Sequence, residues 1–330
     1  MRYLHPALVT WRDRALHGSA ILGGRLVCTA AEVIEWDPGA RRVSTWHDAD
    51  RLDWSVTFTA PRAAPFDRAR LMGVVNVTPD SFSDGGAHAT PERAVAHGLK
   101  LAREGADIVD VGGESTRPGA EPVPVEEELR RVIPVVERLA HAGVTVSIDT
   151  RKAEVMAAAL GAGAQIINDV SGLTWDRRSI EVAAGSAAFV VLMHMAGEPM
   201  TMNAAPRYEA CALEVHDWLA ARIAACEQAG IARDRIIVDP GLCFAKHEPH
   251  NLDVLRHLAL YHGLGCPVLL GASRKGWTAE LERDWPAEDR LASSLAAAHW
   301  ALDRGVQLLR VHDVAAHRQL LQAWLALNGQ

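Results

Sequence analysis

The chain has 330 residues, of which 49% are hydrophobic and 23% charged, so it can bury a sizeable globular core. Its formal net charge of −7 gives no electrostatic reason to expect nucleic acid or an anionic membrane as a partner. No apolar run reaches the roughly 18 residues of a membrane span. The five cysteines form no CxxC pair and the N-terminus has no apolar signal core, so we expect a cytoplasmic protein.

Residues 1–70 differ from the rest of the chain and are predicted to form a small N-terminal accessory segment. Short alternating runs at residues 25–29 and 55–59 are typical of strands. Turn-forming residues at 23–24 and 37–39 separate such runs, and the proline-containing stretch 60–65 is a plausible linker. The segment shows no grouping of residues that would indicate chemistry.

From residue 71 onward, short β-branched apolar runs alternate with stretches of helical periodicity. The predicted strands are residues 71–77, 107–111, 144–148, 165–168, 189–193, 235–238, 267–270 and 306–311. Their nearly continuous apolar character indicates a parallel sheet that is buried on both faces. Eight such repeats match the size of a (β/α)8 TIM barrel, so residues 71–330 are predicted to form one α/β barrel. An open doubly wound sheet is the alternative, which the absence of GxGxxG after the first strand weakens.

Polar residues follow all of the predicted strands. In a (β/α)8 barrel the carboxyl ends of the strands meet at one mouth, where catalytic residues of such enzymes lie. A single polar residue at a strand end is usually a turn former or a helix cap, but capping does not readily explain the whole series. We therefore predict an active site from the following residues: Asn76, Thr116, Arg117, Asp149, Asn168, Asp239, Lys275, Arg310 and His312.

The residue types at the strand ends indicate the kind of ligand. One set is cationic or can become so, and comprises Arg117, Lys275, Arg310 and His312. Such a cluster would attract an anionic group, and arginine can bind phosphate oxygens through two hydrogen bonds. A second set offers acceptors that suit a planar ligand rich in N–H donors, and comprises Asp149, Asn168 and Asp239. The amide oxygen of Asn76 could ligate a hard cation such as Mg²⁺ that is held mainly by substrate phosphates.

The barrel motifs resemble those of the dihydropteroate synthase family. The two longest are MGVVNVTPDSFSDGG at residues 72–86 and DVGGESTRPG at residues 110–119. Shorter matches follow in the same order at residues 147–150, 167–170, 193–195, 239–241, 273–275 and 311–314. The resemblance covers the chain from residue 71 to the C-terminus. It implies a transferase of folate biosynthesis that joins 6-hydroxymethyl-7,8-dihydropterin diphosphate to p-aminobenzoate, giving 7,8-dihydropteroate and diphosphate.

The resemblance also implies a role for each matching residue. The pterin ring would be held by Asp149, Asn168, Asp239 and Lys275. The diphosphate would bind Asn76, Arg310 and His312, with Mg²⁺ as the cofactor beside Asn76. A mobile loop with Thr116, Arg117 and Pro118 would lie over the p-aminobenzoate site, whose apolar wall would include Phe244 and the stem of Lys275. The residues expected to take part in catalysis are Asn76, Arg117, Lys275, Arg310 and His312.

Further features of the family would be a first loop that folds over the site at residues 80–86 and assembly as a homodimer. Two positions depart from its common pattern: Ala245 stands where glycine is frequent, and Gly276 where serine is frequent. An alanine adopts φ > 0 poorly, so the loop around Ala245 is expected to differ. Two alternatives to the synthase stay open, namely a pterin-binding methyltransferase and a non-catalytic pterin-binding paralogue.

Several other polar residues are assigned structural roles. His194 is predicted to be a packed strand-end residue, and residues 247–250 a loop that leads into a helix. The acidic run at residues 126–128 is predicted to lie on the solvated first turn of a helix, where the macrodipole favours negative charge. Asp169 and Asp313 are expected to orient their neighbours.

Overall fold

Four antiparallel strands open the structure, a computed structural model that describes residues 1–10, 19–21, 26–39, 42–48, 66, 68–78, 90–115, 121–197, 206–278 and 285–329. The strands are β1 (Arg2–Thr10), β2 (Ser19–Ile21), β3 (Leu26–Glu35) and β4 (Val43–Asp48). The strand β3 pairs with the other three. It contains most of the strand predicted at residues 25–29. The predictions for residues 55–59 and 60–65 lie outside the described residues.

Eight parallel strands then alternate with helices along the chain. The elements are β5 (Arg70–Asn76), α1 (Pro91–Arg103), β6 (Ile108–Gly112), α2 (Val125–His141), β7 (Val146–Asp149), α3 (Ala153–Gly161), β8 (Ile166–Asp169), α4 (Ser179–Ala184), β9 (Phe189–Met193), α5 (Cys211–Gln228), β10 (Ile236–Asp239), α6 (Glu248–Arg256), β11 (Leu269–Leu270), α7 (Leu291–Leu302), β12 (Leu308–Val311) and α8 (Val314–Leu327). Short 3-10 helices occupy Arg233–Arg235, Leu258–Leu264 and Ala287–Asp289.

The strand order closes the sheet on itself. Hydrogen-bonded neighbours run β10-β9-β8-β7-β6-β5-β12-β11. An isolated parallel bridge between Val238 and Val268 brings β10 next to β11, and the Val238 N–H donates to the Pro267 carbonyl at 2.9 Å. The predicted (β/α)8 barrel is therefore confirmed, and the open doubly wound sheet is wrong. No helix within the described ranges is both long and apolar enough to cross a membrane.

The lower interior of the barrel is filled by one apolar cluster. Seven strands of the barrel supply one side chain each, while Phe66 packs with them from the chain segment before β5. The strand residues are Met72, Ile108, Ile166, Val191, Ile237, Leu269 and Leu308, all buried. A second and larger cluster lies between the strands and the surrounding helices. Because both faces of the strands are buried, their sequences lack polar alternation over most of their length.

The N-terminal sheet packs against the outside of the barrel. Tyr3, Ile34 and Trp36 form a buried cluster with Ala212, Leu213 and Leu260, which belong to α5 and the 3-10 helix at Leu258–Leu264. The Tyr3 hydroxyl donates to Asp217 Oδ2 at 2.7 Å. The accessory strands are therefore part of the packed structure on this side of the barrel.

We expect Ile34→Ala to destabilise the protein by about 2–5 kcal/mol, because it leaves a cavity in a fully buried contact between sheet and barrel. Val43→Ala is the matched control on the same sheet, since Val43 is 52% exposed. Its effect should stay within about 0.5 kcal/mol. Urea unfolding followed by circular dichroism measures both free energies of unfolding. Equal effects of the two substitutions would contradict the packing of the sheet on the barrel.

Candidate active site

A polar layer stands directly above the apolar interior of the barrel. Alternate residues of a strand face the same side of a sheet, so the residue two positions after an interior one also points inward. On β6 the interior Ile108 is followed in this way by Asp110. The same spacing places Asn168 above Ile166, Asp239 above Ile237 and Arg310 above Leu308. The strands themselves therefore bring Asp110 and the three predicted residues Asn168, Asp239 and Arg310 to one mouth.

Arg310 is half-buried and is the centre of a cluster of charges with two buried carboxylates. Its Nε atom donates to Asp110 Oδ2 and its Nη2 atom to Asp149 Oδ2, each at 2.7 Å. The Asn168 amide also donates to Asp110 Oδ2, at 3.0 Å. Burial raises the pKa of Asp149; Arg310 opposes this rise and Asp110 adds to it. The cationic and acceptor sets are thus in direct contact in this structure instead of forming separate halves of the mouth.

Asp110 is a site residue that the strand-end argument missed. It lies in the middle of β6, where all five residues are buried, and its own side chain is fully buried. Its Oδ1 atom has no hydrogen-bond partner among the described residues. The signal that could have identified Asp110 is a charged residue in the middle of an otherwise apolar strand. Burying a carboxylate is costly unless it is paired, so such a residue indicates a partner inside the barrel.

Asp239, Lys275 and Phe244 meet on the opposite side of the mouth from β6. The Lys275 Nζ atom donates to the Leu242 carbonyl at 2.9 Å and lies 4.6 Å from the centre of the Phe244 ring. Burial raises the pKa of Asp239 and lowers that of Lys275, and each residue opposes the shift of the other. The two opposite charges therefore favour each other across the site. The structure thus brings Phe244 and Lys275 together, while their role towards p-aminobenzoate stays a prediction.

Gly241 fixes the turn that follows β10. Its backbone N–H donates to Asp239 Oδ1 at 2.7 Å, which orients the carboxylate. The φ angle of Gly241 is +70°, and a Cβ at this position would stand 1.9 Å from the His194 carbonyl oxygen. Only glycine fits such an approach of two backbones.

His312 and Asn76 occupy neighbouring strands at the rim of the mouth. The His312 N–H donates to Ser273 Oγ at 3.2 Å, and its ring Nδ1 lies at the same distance from that oxygen. Burial, reinforced by Arg310 and Arg274, lowers the pKa of His312 to about 3. The ring is therefore neutral near pH 7 in this structure and adds no positive charge to the cationic set. Asn76 ends β5 with a half-buried side chain.

The predicted loop residues Thr116, Arg117 and Pro118 lie outside the described residues, as does the loop at 80–86. Both flanks of the loop at 116–120 are nevertheless visible. Glu114 precedes it, and the Val123 N–H beyond it donates to Glu114 Oε2 at 2.8 Å. A single carboxylate thus ties the two ends of the loop together.

Two cations from the turn after β7 hold Glu114 in place. Arg151 Nε donates to Glu114 Oε1 at 3.0 Å, and Lys152 Nζ donates to Oε2 at 2.6 Å. All three side chains are only 4% exposed. Burial by itself raises the pKa of Glu114, but hydrogen bonds from Lys152, Val123 and Arg151 outweigh it, and the net pKa is lowered. This turn directly follows Asp149, so one network joins the loop to the charged mouth.

Glu128 completes the same network and corrects the prediction for residues 126–128. Its carboxylate is fully buried and binds Lys152, although a solvated position was expected. Glu126 is exposed as predicted. The helix macrodipole favours any acidic residue in the first turn of a helix. It does not indicate which of these residues is exposed and which is buried against a partner distant in sequence.

The loop around Phe244 has a left-handed backbone at two residues other than glycine, including Ala245, although alanine adopts φ > 0 poorly. Ala245 has a φ of +50° and Cys243 a φ of +65°. The methyl group of Ala245 is fully buried beside Val170, Met193 and Met195. The ammonium group of Lys246 fastens the loop by donating to the carbonyls of Gly241 and Phe244, both at 3.0 Å. At Gly276 a Cβ would stand 3.5 Å from Arg290 Nη1, an ordinary contact, so space alone does not require glycine there.

His194, Asp169 and Asp313 have the structural roles assigned to them, whereas only His247 of the loop predicted at 247–250 precedes the helix. His194 is buried, lies edge-on to Trp218 and stands 2.9 Å from Lys246 Nζ. His247 is the N-cap of α6, which begins at Glu248. Asp169 accepts hydrogen bonds from Ser171 and Leu173, and Asp313 forms an ion pair with Arg274.

Comparison with known proteins places this barrel and its polar mouth in one class. The family described as "Pterin binding enzyme" matches residues 72–312, and the chain belongs to this family. Its relatives within the family include the dihydropteroate synthase of Escherichia coli, which is 48% identical over 245 residues, or 74% of this chain and 86% of the relative.

Solved structures that are similar to this chain include dihydropteroate synthases. A Xanthomonas albilineans dihydropteroate synthase with 4-aminobenzoic acid has 53% identity and a TM-score of 0.75, covering 80% of this chain and 95% of that one. The same organism's enzyme in complex with 7,8-dihydropteroate has 49% identity and a TM-score of 0.73, covering 82% and 97%.

We expect Gly241→Ala to destabilise the protein by at least about 4 kcal/mol, since the clash with the His194 carbonyl requires the backbone to move. Gly143→Ala is the matched control. Gly143 also has positive φ, +78°, but nothing lies within 4 Å of its Cβ position. Its cost should be only the left-handed backbone of alanine, about 1–2 kcal/mol. Urea unfolding compares the two, and similar losses would show that the close approach at Gly241 does not exist.

We expect Glu114→Gln to destabilise the protein by about 3–5 kcal/mol at pH 7, because it leaves the buried Arg151 without a carboxylate and Lys152 with Glu128 alone. Glu126→Gln, on the exposed first turn of α2, should change the free energy of unfolding by less than about 0.5 kcal/mol.

The effect of Glu114→Gln on the free energy of unfolding should depend on pH. The lowered pKa of Glu114 stabilises the fold above the ordinary glutamate pKa, and this contribution disappears as the pH falls through the folded-state value. The difference in stability between wild type and Glu114→Gln should therefore shrink on acidification. A difference that is constant from pH 7 down to pH 3 would argue against an ionised Glu114.

Proposed function

We propose that this protein is a dihydropteroate synthase, which condenses 6-hydroxymethyl-7,8-dihydropterin diphosphate with p-aminobenzoate to give 7,8-dihydropteroate and diphosphate. The observation that carries the proposal is the cluster of Asp110, Asp149 and Arg310 at the barrel mouth, formed from motifs of this family. The Xanthomonas albilineans relatives, solved with 4-aminobenzoic acid and with 7,8-dihydropteroate, support the choice of both substrates.

The pterin ring would be held by Asp149, Asn168, Asp239 and Lys275. Carboxylates in a site of low dielectric bind N–H donors strongly, and the ring edge supplies such donors. The buried Oδ1 atom of Asp110, which lacks a partner among the described residues, gives the same ring a further acceptor to satisfy. Lys275 can donate to a carbonyl oxygen of the ligand in place of its present bond to Leu242.

The diphosphate would bind at the rim, where Asn76, Arg310 and His312 end neighbouring strands. We include Mg²⁺ as the cofactor. Among the described residues, no group of three metal-type side chains lies at this mouth. This donor set fits a hard cation that substrate phosphates mainly hold, with the Asn76 amide oxygen as a protein ligand. When bound, Mg²⁺ would neutralise negative charge on the diphosphate oxygens.

The reaction requires stabilisation of charge more than a strong base. The bond between the pterin methylene carbon and the diphosphate oxygen breaks, and its electron pair leaves with diphosphate. The aniline nitrogen of p-aminobenzoate then forms the new C–N bond and loses a proton. Asp110, Asp149 and Asp239 place three carboxylates against the two cations Arg310 and Lys275, so the buried mouth is suited to an electron-deficient ring.

The p-aminobenzoate site would lie beside Phe244 and the stem of Lys275, under the loop that carries Thr116, Arg117 and Pro118. Closure of this loop would exclude water, which could otherwise capture the electron-deficient carbon. The buried Glu114 network supports this arrangement, because it anchors the loop to the turn after Asp149. Arg117 is the proposed contributor to catalysis from the loop.

The deciding assay supplies the purified chain with the pterin diphosphate, p-aminobenzoate and Mg²⁺, and measures dihydropteroate and released diphosphate. We expect stoichiometric formation of both, and loss of turnover when a chelator removes Mg²⁺. Pterin binding without product would indicate the non-catalytic paralogue. Methyl transfer from a folate to a corrinoid, with no condensation, would indicate the methyltransferase. Either result would overturn the proposal.

Arg310→Lys tests the residue roles, since it keeps the positive charge but removes the two-pronged guanidinium. We expect the KM for the pterin diphosphate to rise about tenfold or more, as expected for loss of a charge-assisted hydrogen bond. The KM for p-aminobenzoate should change less than about twofold, because a remote subsite keeps its contacts. Arg233→Lys, in a surface pair with Glu227, is the control. An unchanged KM for the pterin substrate would show that the anion site is elsewhere.

We further propose a homodimer, as the family resemblance suggests, and a cytoplasmic location. The five cysteines are all free, and four are buried, which supports a reducing compartment. Sedimentation velocity would measure the oligomeric state directly.

A further inference from the structure

A group of three potential metal ligands lies where the N-terminal sheet meets the barrel, away from the mouth. His5 comes from β1, Glu32 from β3 and His257 from the residue after α6. One ligand atom from each lies within 4.8 Å of the other two, and all three residues are half-buried. His5 and Glu32 are directly opposed partners in the sheet register, so β1 and β3 hold that pair in place.

We propose that these three residues bind a divalent transition-metal ion, with Zn²⁺ as the best fit. The distance from His5 Nδ1 to Glu32 Oε2 is 3.3 Å. Zinc bonds to nitrogen and oxygen of about 2.0–2.2 Å in a tetrahedron place two ligands about 3.4 Å apart. This half of the site therefore already has the required spacing, and His257 needs to approach by only a small movement.

His257 is oriented as a metal-binding histidine would be. Its Nδ1 atom lies 2.8 Å from the Asp253 carbonyl oxygen and 3.1 Å from Asp253 Oδ1. An Nδ1–H that donates to Asp253 leaves the Nε2 lone pair directed into the cluster. Ligating histidines are commonly held by such a second bond to a carbonyl or carboxylate oxygen.

A cation already occupies the position that the metal would take. The Arg42 guanidinium lies 3.0 Å from His257 Nε2 and 3.6 Å from Glu32 Oε1. A guanidinium can only donate, so His257 Nε2 is an acceptor in this contact. The Arg42 side chain is 34% exposed and can turn towards solvent. The metal would therefore compete with Arg42 for His257 Nε2 and for the Glu32 carboxylate.

The site opens to a cavity on the His5 side, from which a water molecule would complete the tetrahedron. A cavity of about 530 Å³ borders His5 and is also lined by Trp46, Trp300 and Arg304. Because the ligands come from both the sheet and the barrel, binding would fasten the accessory strands to the barrel and favour the folded state.

The test uses the full chain after chelation and dialysis, with zinc chloride as the titrant in calorimetry and cobalt chloride for visible absorption. We expect one site with tetrahedral cobalt bands and a rise in Tm with zinc. His257→Ala and Glu32→Ala should each lose this site. His299→Ala is the matched control, since His299 is an exposed histidine on α7 that lies beside Asp303.

Arg42→Ala separates a metal site from a hydrogen-bonded contact. Removal of the competing cation should tighten zinc binding about tenfold, a change of about 1.4 kcal/mol. If zinc binds wild type and Arg42→Ala no more tightly than it binds His257→Ala, the cluster is only a contact between sheet and barrel, and the proposal is wrong. None of these measurements uses catalysis, so their outcome is independent of the proposed function.

Discussion

Ionised side chains inside a barrel must be paired, because water is not available to solvate them. In this protein the pairing of Arg310 with Asp110 and Asp149 meets that requirement at the upper end of the barrel interior. The layer below it is apolar on seven of the eight strands, so the core beneath offers the charges few polar partners. They are held at the depth where the strands end, and there a flat polar ligand can reach them. The site is therefore a result of how the interior is filled.

The same constraint links the mouth to its proposed loop. Glu114, Arg151, Lys152 and Glu128 exchange hydrogen bonds in a region that is almost fully buried. Breaking one pair would leave the remaining charges without compensation, so the four residues act as a unit. Since Arg151 follows two residues after Asp149, displacement of the loop's anchor would also disturb the turn that ends β7.

Periodicity was sufficient to predict the barrel and most of the mouth. The positions of Asp149, Asn168 and Asp239 were predictable because each is a polar residue at the end of an apolar run. A barrel brings the carboxyl ends of its strands together. Asp110 was not predictable in this way, since it lies within a strand, and a search of strand ends passes over it. The predicted solvent exposure of Glu128 was wrong because its partner Lys152 lies far from it in the sequence. Only the tertiary structure brings the two residues together. The neutral state of His312 depends on burial and on neighbouring arginines, neither of which is a property of its position in the chain.

The sheet closes into a barrel between β10 and β11, and we call this junction the seam of the barrel. The strand β11 has only two residues, and its described pairing with β10 is the isolated bridge between Val238 and Val268. Amide hydrogens at such a join should exchange with solvent sooner than those of the longer ladders, since less structure must open to release them. Asp239 and Lys275 stand on opposite sides of this seam. A ligand that contacts both residues would connect β10 to β11. Binding of a ligand at the mouth would therefore change the rate at which amide hydrogens exchange at this junction.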